Sequence, residues 1–362
     1  MRTNIYSPFR MILVLYGFVS IRSHVYVRVL SRISACLLSF ALVLTIYTNL
    51  LYSFKLLNTL TYFPYYCLCL SVLMHLIKNR IRIEKLIKNF NDQLDYSKHP
   101  KLTKLSKTSV ALLIVYTLCD IGLQLVFAYN AGLNRFIEKS ILVSTQDWSC
   151  VWKTILVMIL TTFGCMIGGL LMMTWIMIYN FTIYTIGEIR ISIIDGLLQN
   201  EKNSANHDVL RIHSYWLEIE SAVNEFDRTF SMFPFIWFVI LFYKSCFHLI
   251  LLKSQSFMID IPMAINYVWF VVEYLATMSI LFTIDRVNKQ TQRSFESYRK
   301  RFIRSKMSGS ASRELNNDIE KQLNLKLTAW SMFELNKSFI LSFISSLITF
   351  SVLFMQLSNA HA

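Results

Sequence analysis

The chain has 362 residues, of which 54% are hydrophobic and 16% are charged, with a mean hydropathy of +0.45 and a net charge of +14. A soluble domain carries about 25% charged residues, so this composition argues against a soluble protein. The positive charge alone could indicate a nucleic-acid partner, but its distribution along the chain favours a membrane. Apolar runs of about 20 residues recur, and each is long enough to cross a bilayer. We therefore predict an all-α integral membrane protein.

Seven apolar runs are predicted to be transmembrane helices, numbered in chain order. Their bounds are 33–54 for helix 1, 57–77 for helix 2, 108–131 for helix 3, 151–178 for helix 4, 231–252 for helix 5, 263–284 for helix 6 and 333–357 for helix 7. Six of the seven cysteines fall within these runs. Cysteine inside an apolar helix packs as a small apolar group, so we expect no disulfide framework.

The basic residues lie almost entirely on one side of the predicted membrane. Of the 36 lysines and arginines, 29 fall in the segments 1–32, 78–107, 187–230 and 285–328, and only 4 lie on the other side. Basic segments next to transmembrane helices remain in the cytoplasm. This predicts a cytoplasmic N-terminus and, after seven crossings, an extracellular C-terminus. A metabotropic seven-helix receptor would have the opposite orientation. The membrane orientation also accounts for the distribution of the basic residues, so we expect no nucleic-acid partner.

Two hairpins are predicted to project from the cytoplasmic ends of helices 4 to 7. Helix 4 stays apolar as far as Ile186, and an apolar stripe then alternates at spacings of three and four residues. The stripe consists of Val209, Ile212, Trp216, Ile219, Val223, Phe226 and Phe230. Residues 285–332 form the second predicted hairpin, in which Leu315, Ile319, Leu323 and Leu327 recur every four residues and lead helically into helix 7. The stripes could pack within one subunit or join subunits, and we favour the second alternative.

Three ionisable residues are predicted at one depth in the outer half of the membrane. Asp120, Lys244 and Glu273 lie roughly 13–17 Å below the outer ends of helices 3, 5 and 6, at 1.5 Å per residue. Ionisable residues inside a membrane are costly and indicate function. Aromatic and polar residues accompany them, among them Tyr65, Gln124, Tyr243 and Trp269. The set suggests a pocket for a small ligand, although Lys244 could also pair with Glu273 or Asp120 merely to neutralise charge.

Helix 7 carries a polar stripe through its apolar sequence. Its members are Ser338, Ser342, Ser345, Thr349 and Gln356, which share one helical face. Such a stripe must face protein or water rather than lipid. It could make hydrogen bonds between helices in a static bundle, or it could line a pore.

The end of helix 7 resembles the signature of the insect gustatory receptor family. Thr349-Phe350 is followed by five residues and then by Gln356-Leu357, where the family has Thr-Tyr, five hydrophobic residues and Gln-Phe. The resemblance implies a tetrameric, ligand-gated cation channel whose pore is lined by helix 7. On this basis Ser345, Thr349, Phe350, Gln356 and Leu357 are the expected pore and gate residues. Phe350 lacks the family's hydroxyl, and Leu357 could still form a hydrophobic constriction.

The resemblance also implies partners and a location. We expect a small-molecule tastant, of bitter type or unassigned rather than a sugar, bound among helices 2 to 6. The expected assembly is a homo- or hetero-tetramer with related subunits in the plasma membrane of a sensory neuron. The sequence contains no catalytic set, metal-spaced cluster or cofactor motif, so an enzyme is not expected. An odorant-receptor-like subunit, a metabotropic receptor and a transporter remain alternatives.

The chain is divided accordingly into four parts. Residues 1–32 form a cytoplasmic N-terminal segment, and residues 33–284 hold helices 1 to 6 with the ligand pocket. Residues 285–332 form the cytoplasmic helical hairpin. Residues 333–362 comprise the pore-lining helix 7 and a short extracellular C-terminus.

Overall fold

The computed structural model covers most of the predicted membrane domain. It describes residues 56–93, 100–131, 149–165, 170–200, 206–254, 261–304, 317–321, 323–330 and 332–360, together with positions 33, 36 and 43. The N-terminal segment 1–32 and all but three positions of helix 1 lie outside the described residues, and those three positions are helical.

Long helices dominate the described part of the chain. Helix 2 spans Leu56–Gln93, helix 3 Pro100–Ala131, helix 4 Cys150–Cys165 and Leu171–Asn200, an inner helix Asn206–Phe230, helix 5 Met232–Ser254, helix 6 Ile261–Arg304 and helix 7 Lys337–Ala360. The predicted all-α fold is confirmed. Helices 4 and 6 extend far beyond membrane thickness, as predicted, and they form the most extensive helix pair.

Helix 5 continues from the inner helix through a sharp bend at Ser231. The axes of His213–Phe230 and Met232–Cys246 differ by 41°. Pro234 explains the break, because it has no N–H to donate to the carbonyl of Phe230 and its ring crowds that carbonyl. The bend separates the apolar helix 5 from the amphipathic inner helix.

The apolar stripe of the inner helix is buried within its own chain. Trp216, Ile219 and Phe226 are almost fully buried. The Phe226 ring lies 5.1 Å from Tyr179 of helix 4 and 6.4 Å from Phe90 of helix 2, between centroids. Our preference for stripes that join subunits is therefore wrong for the described residues. Helices 2 and 4 cover the stripe because they continue past their predicted membrane spans, to Gln93 and Asn200. They do so at the basic end of the molecule, which is the end that carries the basic segments of the predicted cytoplasmic side.

The second arm of the predicted hairpin is not a helix leading into helix 7. A helical piece at 317–321 is followed by an extended segment, and β1 (Thr328–Ala329) pairs antiparallel with β2 (Phe333–Glu334). Helix 7 begins at Lys337 rather than at 333. The error came from the four-residue spacing of leucines. Leu323, Leu325, Leu327 and Ala329 also alternate with polar residues, and this period of two prevails.

Several helices expose apolar side chains of the kind that lipid would cover. In the described part of the chain, Pro100–Leu123 of helix 3 is by itself long and apolar enough to cross a membrane. The bent pair His213–Phe230 and Met232–Cys246 meets the same criterion jointly. Leu112, Val115 and Leu118 of helix 3 are each more than half exposed. Such a surface is typical of a helix that contacts hydrocarbon.

Close packing of helices 4 and 6 predicts a large difference between two glycine substitutions in helix 4. A β-carbon at Gly187 would lie 2.8 Å from Cγ1 and 3.0 Å from Cγ2 of Val287, whereas one at Gly196 would meet nothing within 4 Å. Both alanine variants gain roughly 0.5–1 kcal/mol of helix propensity. Gly187→Ala should also lose about 1–3 kcal/mol through overpacking. Thermal unfolding of the purified protein should rank Gly187→Ala below Gly196→Ala, and equal midpoints would contradict this packing.

Candidate functional site

The polar stripe of helix 7 lies on the surface of the described chain. Ser338, Ser342, Ser345, Thr349 and Gln356 are all exposed. The Ser342 hydroxyl donates to the carbonyl of Ser338 at 3.3 Å, and the Thr349 hydroxyl donates to that of Ser345 at 2.9 Å. The donors and acceptors of these two hydrogen bonds are all within helix 7. They do not join it to another helix of the same chain, as a static bundle would require.

Another side of helix 7, about 100° from the polar stripe, packs on helix 5 through phenylalanines. Phe339 and Phe343 lie 4.6 and 5.5 Å from Phe238, between ring centroids. Farther along, Phe350 lies 5.4 Å from Phe242. Phe350, a predicted pore residue, thus contacts helix 5 and does not share the face of Ser345 and Thr349. Edge-to-face aromatic pairs of this kind contribute about 0.5–1.5 kcal/mol each beyond their buried area.

An exposed apolar stripe flanks the polar one. Leu341, Ile344 and Ile348 are exposed, and Leu341 reaches 70%. Helix 7 therefore has three sides. One contacts helix 5, one is exposed and apolar, and one is exposed and carries the hydroxyls. The same side carries the amide of Gln356, which would be costly to place in lipid without a hydrogen-bond partner. The side chain of Leu357 lies outside the described residues, so the structure adds nothing on this predicted gate residue.

The structure joins two of the three ionisable residues predicted for the pocket. Nζ of Lys244 on helix 5 donates to Oε2 of Glu273 on helix 6. The two side chains are 25% and 5% exposed. Burial of two charges is costly, and their mutual contact offsets that cost in a low-dielectric site. The pair fastens helix 5 to helix 6.

The other predicted pocket residues are placed to different extents. Tyr243 precedes Lys244 in the sequence of helix 5 and is half-buried. Asp120 is half-buried on helix 3, which packs against helix 4. The side chains of Tyr65, Gln124 and Trp269 lie outside the described residues. Six residues after Glu273 along helix 6, Ser279 makes a polar contact with helix 4, where Nδ2 of Asn180 donates to its Oγ at 2.8 Å.

A second buried ion pair at the basic end was not predicted from the sequence. Nη2 of Arg190 on helix 4 donates to Oε1 of Glu220 on the inner helix at 2.6 Å, and the guanidinium lies 5.7 Å from the Trp216 ring centroid. Burial lowers the pKa of Arg190 and raises that of Glu220, and each partner opposes the other's shift. Arg190 also donates to the carbonyl of Leu323 at 3.4 Å. The isoleucines at positions 189, 191, 193 and 194 that surround Arg190 in the sequence were the available signal.

The comparisons with known proteins agree with this architecture. A family model described as 7tm Chemosensory receptor matches residues 8–360. The fold is similar to that of the insect olfactory receptor OR5 from Machilis hrabei, with a TM-score of 0.72 and 14% identity over 97% of each chain. The same receptor in complex with eugenol is similar with a TM-score of 0.65 and 12% identity, over 98% of this chain and 97% of that chain. The chain has no match among curated proteins.

The family match decides the broad class. Its members are membrane-embedded receptors, which confirms the predicted seven-helix membrane fold and the prediction that the chain is not an enzyme. The match spans nearly the whole sequence, well beyond the short motif at the end of helix 7. The chain therefore belongs to the 7tm chemosensory receptor family, as its resemblance to insect gustatory receptors predicted.

Proposed function

We propose that this protein is a gustatory receptor subunit that acts as a ligand-gated, non-selective cation channel. The observation that carries the proposal is the exposed polar stripe of helix 7, which lies on a different side from the phenylalanines that contact helix 5. Four copies arranged around an axis would turn these stripes toward water in a shared pore. Cation flow through that pore would depolarise a sensory neuron, with the basic end of the molecule in the cytoplasm.

The ligand in this proposal is a small amphipathic tastant, of bitter type or unassigned rather than a sugar. Its site lies among helices 2 to 6, near the Lys244–Glu273 pair, and the half-buried Tyr243 precedes Lys244 in helix 5. The Machilis hrabei receptor of similar fold is solved with eugenol, a small aromatic molecule, which supports a ligand of this size. A ligand gates only if it binds the open state more tightly than the closed state.

Whole-cell recording in cells that express this chain tests the proposal. A panel of bitter compounds, sugars and volatile odorants should include a bitter compound that evokes a cation current within milliseconds. The current should persist in excised patches that lack nucleotides, because no metabotropic step is required. Transport without a current, or a current that needs intracellular GTP, would contradict the proposal. Responses confined to volatile compounds would assign the chain to the odorant receptors.

The outer end of the proposed pore gives a specific prediction for Gln356 and Leu357. Leu357→Ser should admit water to the constriction and raise the basal current, because a hydrophobic ring closes by dewetting. Gln356→Ala should change ion preference or gating more than ligand affinity, because in this proposal the amide lies at the pore exit and not among helices 2 to 6. Whole-cell currents with cation substitution measure both effects. Unchanged currents at normal surface expression would remove these residues from the gate.

A further inference from the structure

The segment between helices 6 and 7 is tightly docked on the rest of the molecule. We call residues 323–336 the strap, of which the structure describes all but residue 331. Leu325, Leu327, Ala329 and Leu335 of the strap are almost fully buried. The side chain of Asn288 on helix 6 holds the strap's backbone, since it accepts from the N–H of Leu325 at 2.7 Å and donates to its carbonyl at 3.4 Å. The strap is therefore packed as core and is not a loose connection.

The carboxylate of Asp227 on the inner helix binds the strap at two points. Its Oδ1 accepts from the backbone N–H of Thr328 at 2.6 Å, and its Oδ2 accepts from Oγ1 of Thr328 at 2.8 Å. Hydrogen bonds to a charged group are stronger than those between neutral groups. Burial raises the pKa of Asp227 and the two bonds from Thr328 lower it, so the strap itself favours the charged form of this carboxylate.

The next residues of the strap contact the bend of helix 5. The N–H of Trp330 donates to the carbonyl of Ser231 at 2.8 Å, at the position where the bend interrupts the helix. The Trp330 ring lies 5.1 Å from Phe235, between centroids. Trp330 has a φ of 50°, which is uncommon for a bulky residue and is held here by the surrounding contacts. The strap is thus fastened on both sides of the bend.

The strap is also joined rigidly to the start of helix 7. The N–H of Leu335 donates to the carbonyl of Leu327 at 2.8 Å, which closes the β-hairpin. Asn336 caps helix 7, because its Oδ1 accepts from the N–H of Phe339 at 3.0 Å. Phe333 stacks on Phe339 at 4.4 Å between centroids. A displacement of the strap must therefore move the first turns of helix 7.

We propose that Asp227 and Thr328 are positioning residues for the pore helix, which transmit a change in the bend of helix 5 to helix 7 through the strap. Helix 5 carries Lys244, about 20 Å along the helix from Ser231 at 1.5 Å per residue. A ligand that displaces Lys244 would tilt helix 5 about this bend. The strap would pass that tilt to helix 7, alongside the phenylalanine contacts between the two helices. The inference rests on the proposed channel function for its effect on current.

Three single variants of the full-length receptor isolate this contact. Thr328→Val removes the hydroxyl bond to Asp227 while keeping the side chain's shape, and Thr328→Ser retains the hydroxyl. Thr283→Val is the matched control, because the hydroxyl of the buried Thr283 donates at 2.7 Å to the carbonyl of Ser279 within helix 6 rather than to the strap. Hydrogen–deuterium exchange of the purified protein and the basal cation current per surface receptor are measured for each.

Thr328→Val should accelerate exchange about tenfold in the strap and in residues 337–343 of helix 7, as expected for losing one bond to a charged group. It should also change the basal current about fivefold or more, while Thr328→Ser and Thr283→Val stay close to the unmodified receptor. Faster exchange confined to the strap, or equal effects of Thr283→Val, would overturn the inference. If none of the proteins conducts, the proposed channel function fails, and the exchange of helix 7 alone decides whether the strap positions it.

Discussion

Lys244→Met should destabilise the purified receptor by about 3–5 kcal/mol, the cost of removing one partner from a buried ion pair. Glu273 is 5% exposed and would lose the ammonium that compensates its charge. Glu273→Gln should be costly for the same reason, since it takes the carboxylate away from the ammonium of Lys244. Thermal unfolding in detergent measures both losses, and ligand-evoked current reports whether the pair also contributes to the pocket.

The double variant Lys244→Met with Glu273→Gln provides the control. It removes both charges together, so it should be markedly more stable than the sum of the two single losses predicts. Additive losses would show that the two residues do not depend on each other. A double variant that folds well but no longer responds to ligand would place the pair in the binding site as well as in the fold.

Arg190→Met should cost about as much at the basic end of helix 4, about 3–5 kcal/mol. Arg190 is 1% exposed, and its removal leaves the carboxylate of Glu220 buried without its cation. The same change also removes the contact with the strap at the carbonyl of Leu323. Thermal unfolding of the purified variant, together with its surface expression in cells, measures the loss.

An exposed ion pair of the same chemistry serves as the control for Arg190. Arg299 and Glu320 are 3.0 Å apart, and their side chains are 57% and 53% exposed. Arg299→Met should therefore change the stability by only about 0–1 kcal/mol. Comparable losses for Arg190→Met and Arg299→Met would mean that the burial of Arg190 has no energetic consequence.

The sequence predicted the all-α membrane fold because the signal of an apolar helix is additive along the chain. Each apolar run of about 20 residues identifies a helix regardless of its neighbours. The predicted partnership of Lys244 with a carboxylate was also correct, since a cation at that depth requires compensation. The contact with Glu273 in particular depends on how helices 5 and 6 pack, which spacing alone does not specify.

Errors arose where a pattern has two physical solutions. The spacing of four between Ile319, Leu323 and Leu327 predicted a helix through the strap, where the chain is extended instead. Side-chain bonds from Asn288 and Asp227 to the strap's backbone supply what helical hydrogen bonds would otherwise provide. These contacts span 37 and 101 residues of sequence, respectively. No local pattern can reveal them.

The stripe of the inner helix shows a related difficulty. Its periodicity identified which face is apolar, and Trp216 and Phe226 are indeed buried. Periodicity does not identify what covers that face, and helices 2 and 4 of the same chain do so. Phe350 of helix 7 contacts Phe242 of helix 5 and is also 46% exposed, so its place at the pore stays a prediction.

The central claim, that the polar face of helix 7 lines an ion pathway, is tested most directly by cysteine accessibility during current recording. Ser345→Cys lies on the polar stripe, and Ile344→Cys lies at the same depth on the exposed apolar side, about 100° away at 3.6 residues per turn. A charged methanethiosulfonate reagent should change the cation current of Ser345→Cys and leave Ile344→Cys and the unmodified receptor unchanged. Equal modification of both cysteine variants, or none at Ser345→Cys while current flows, would contradict a pore lined by helix 7.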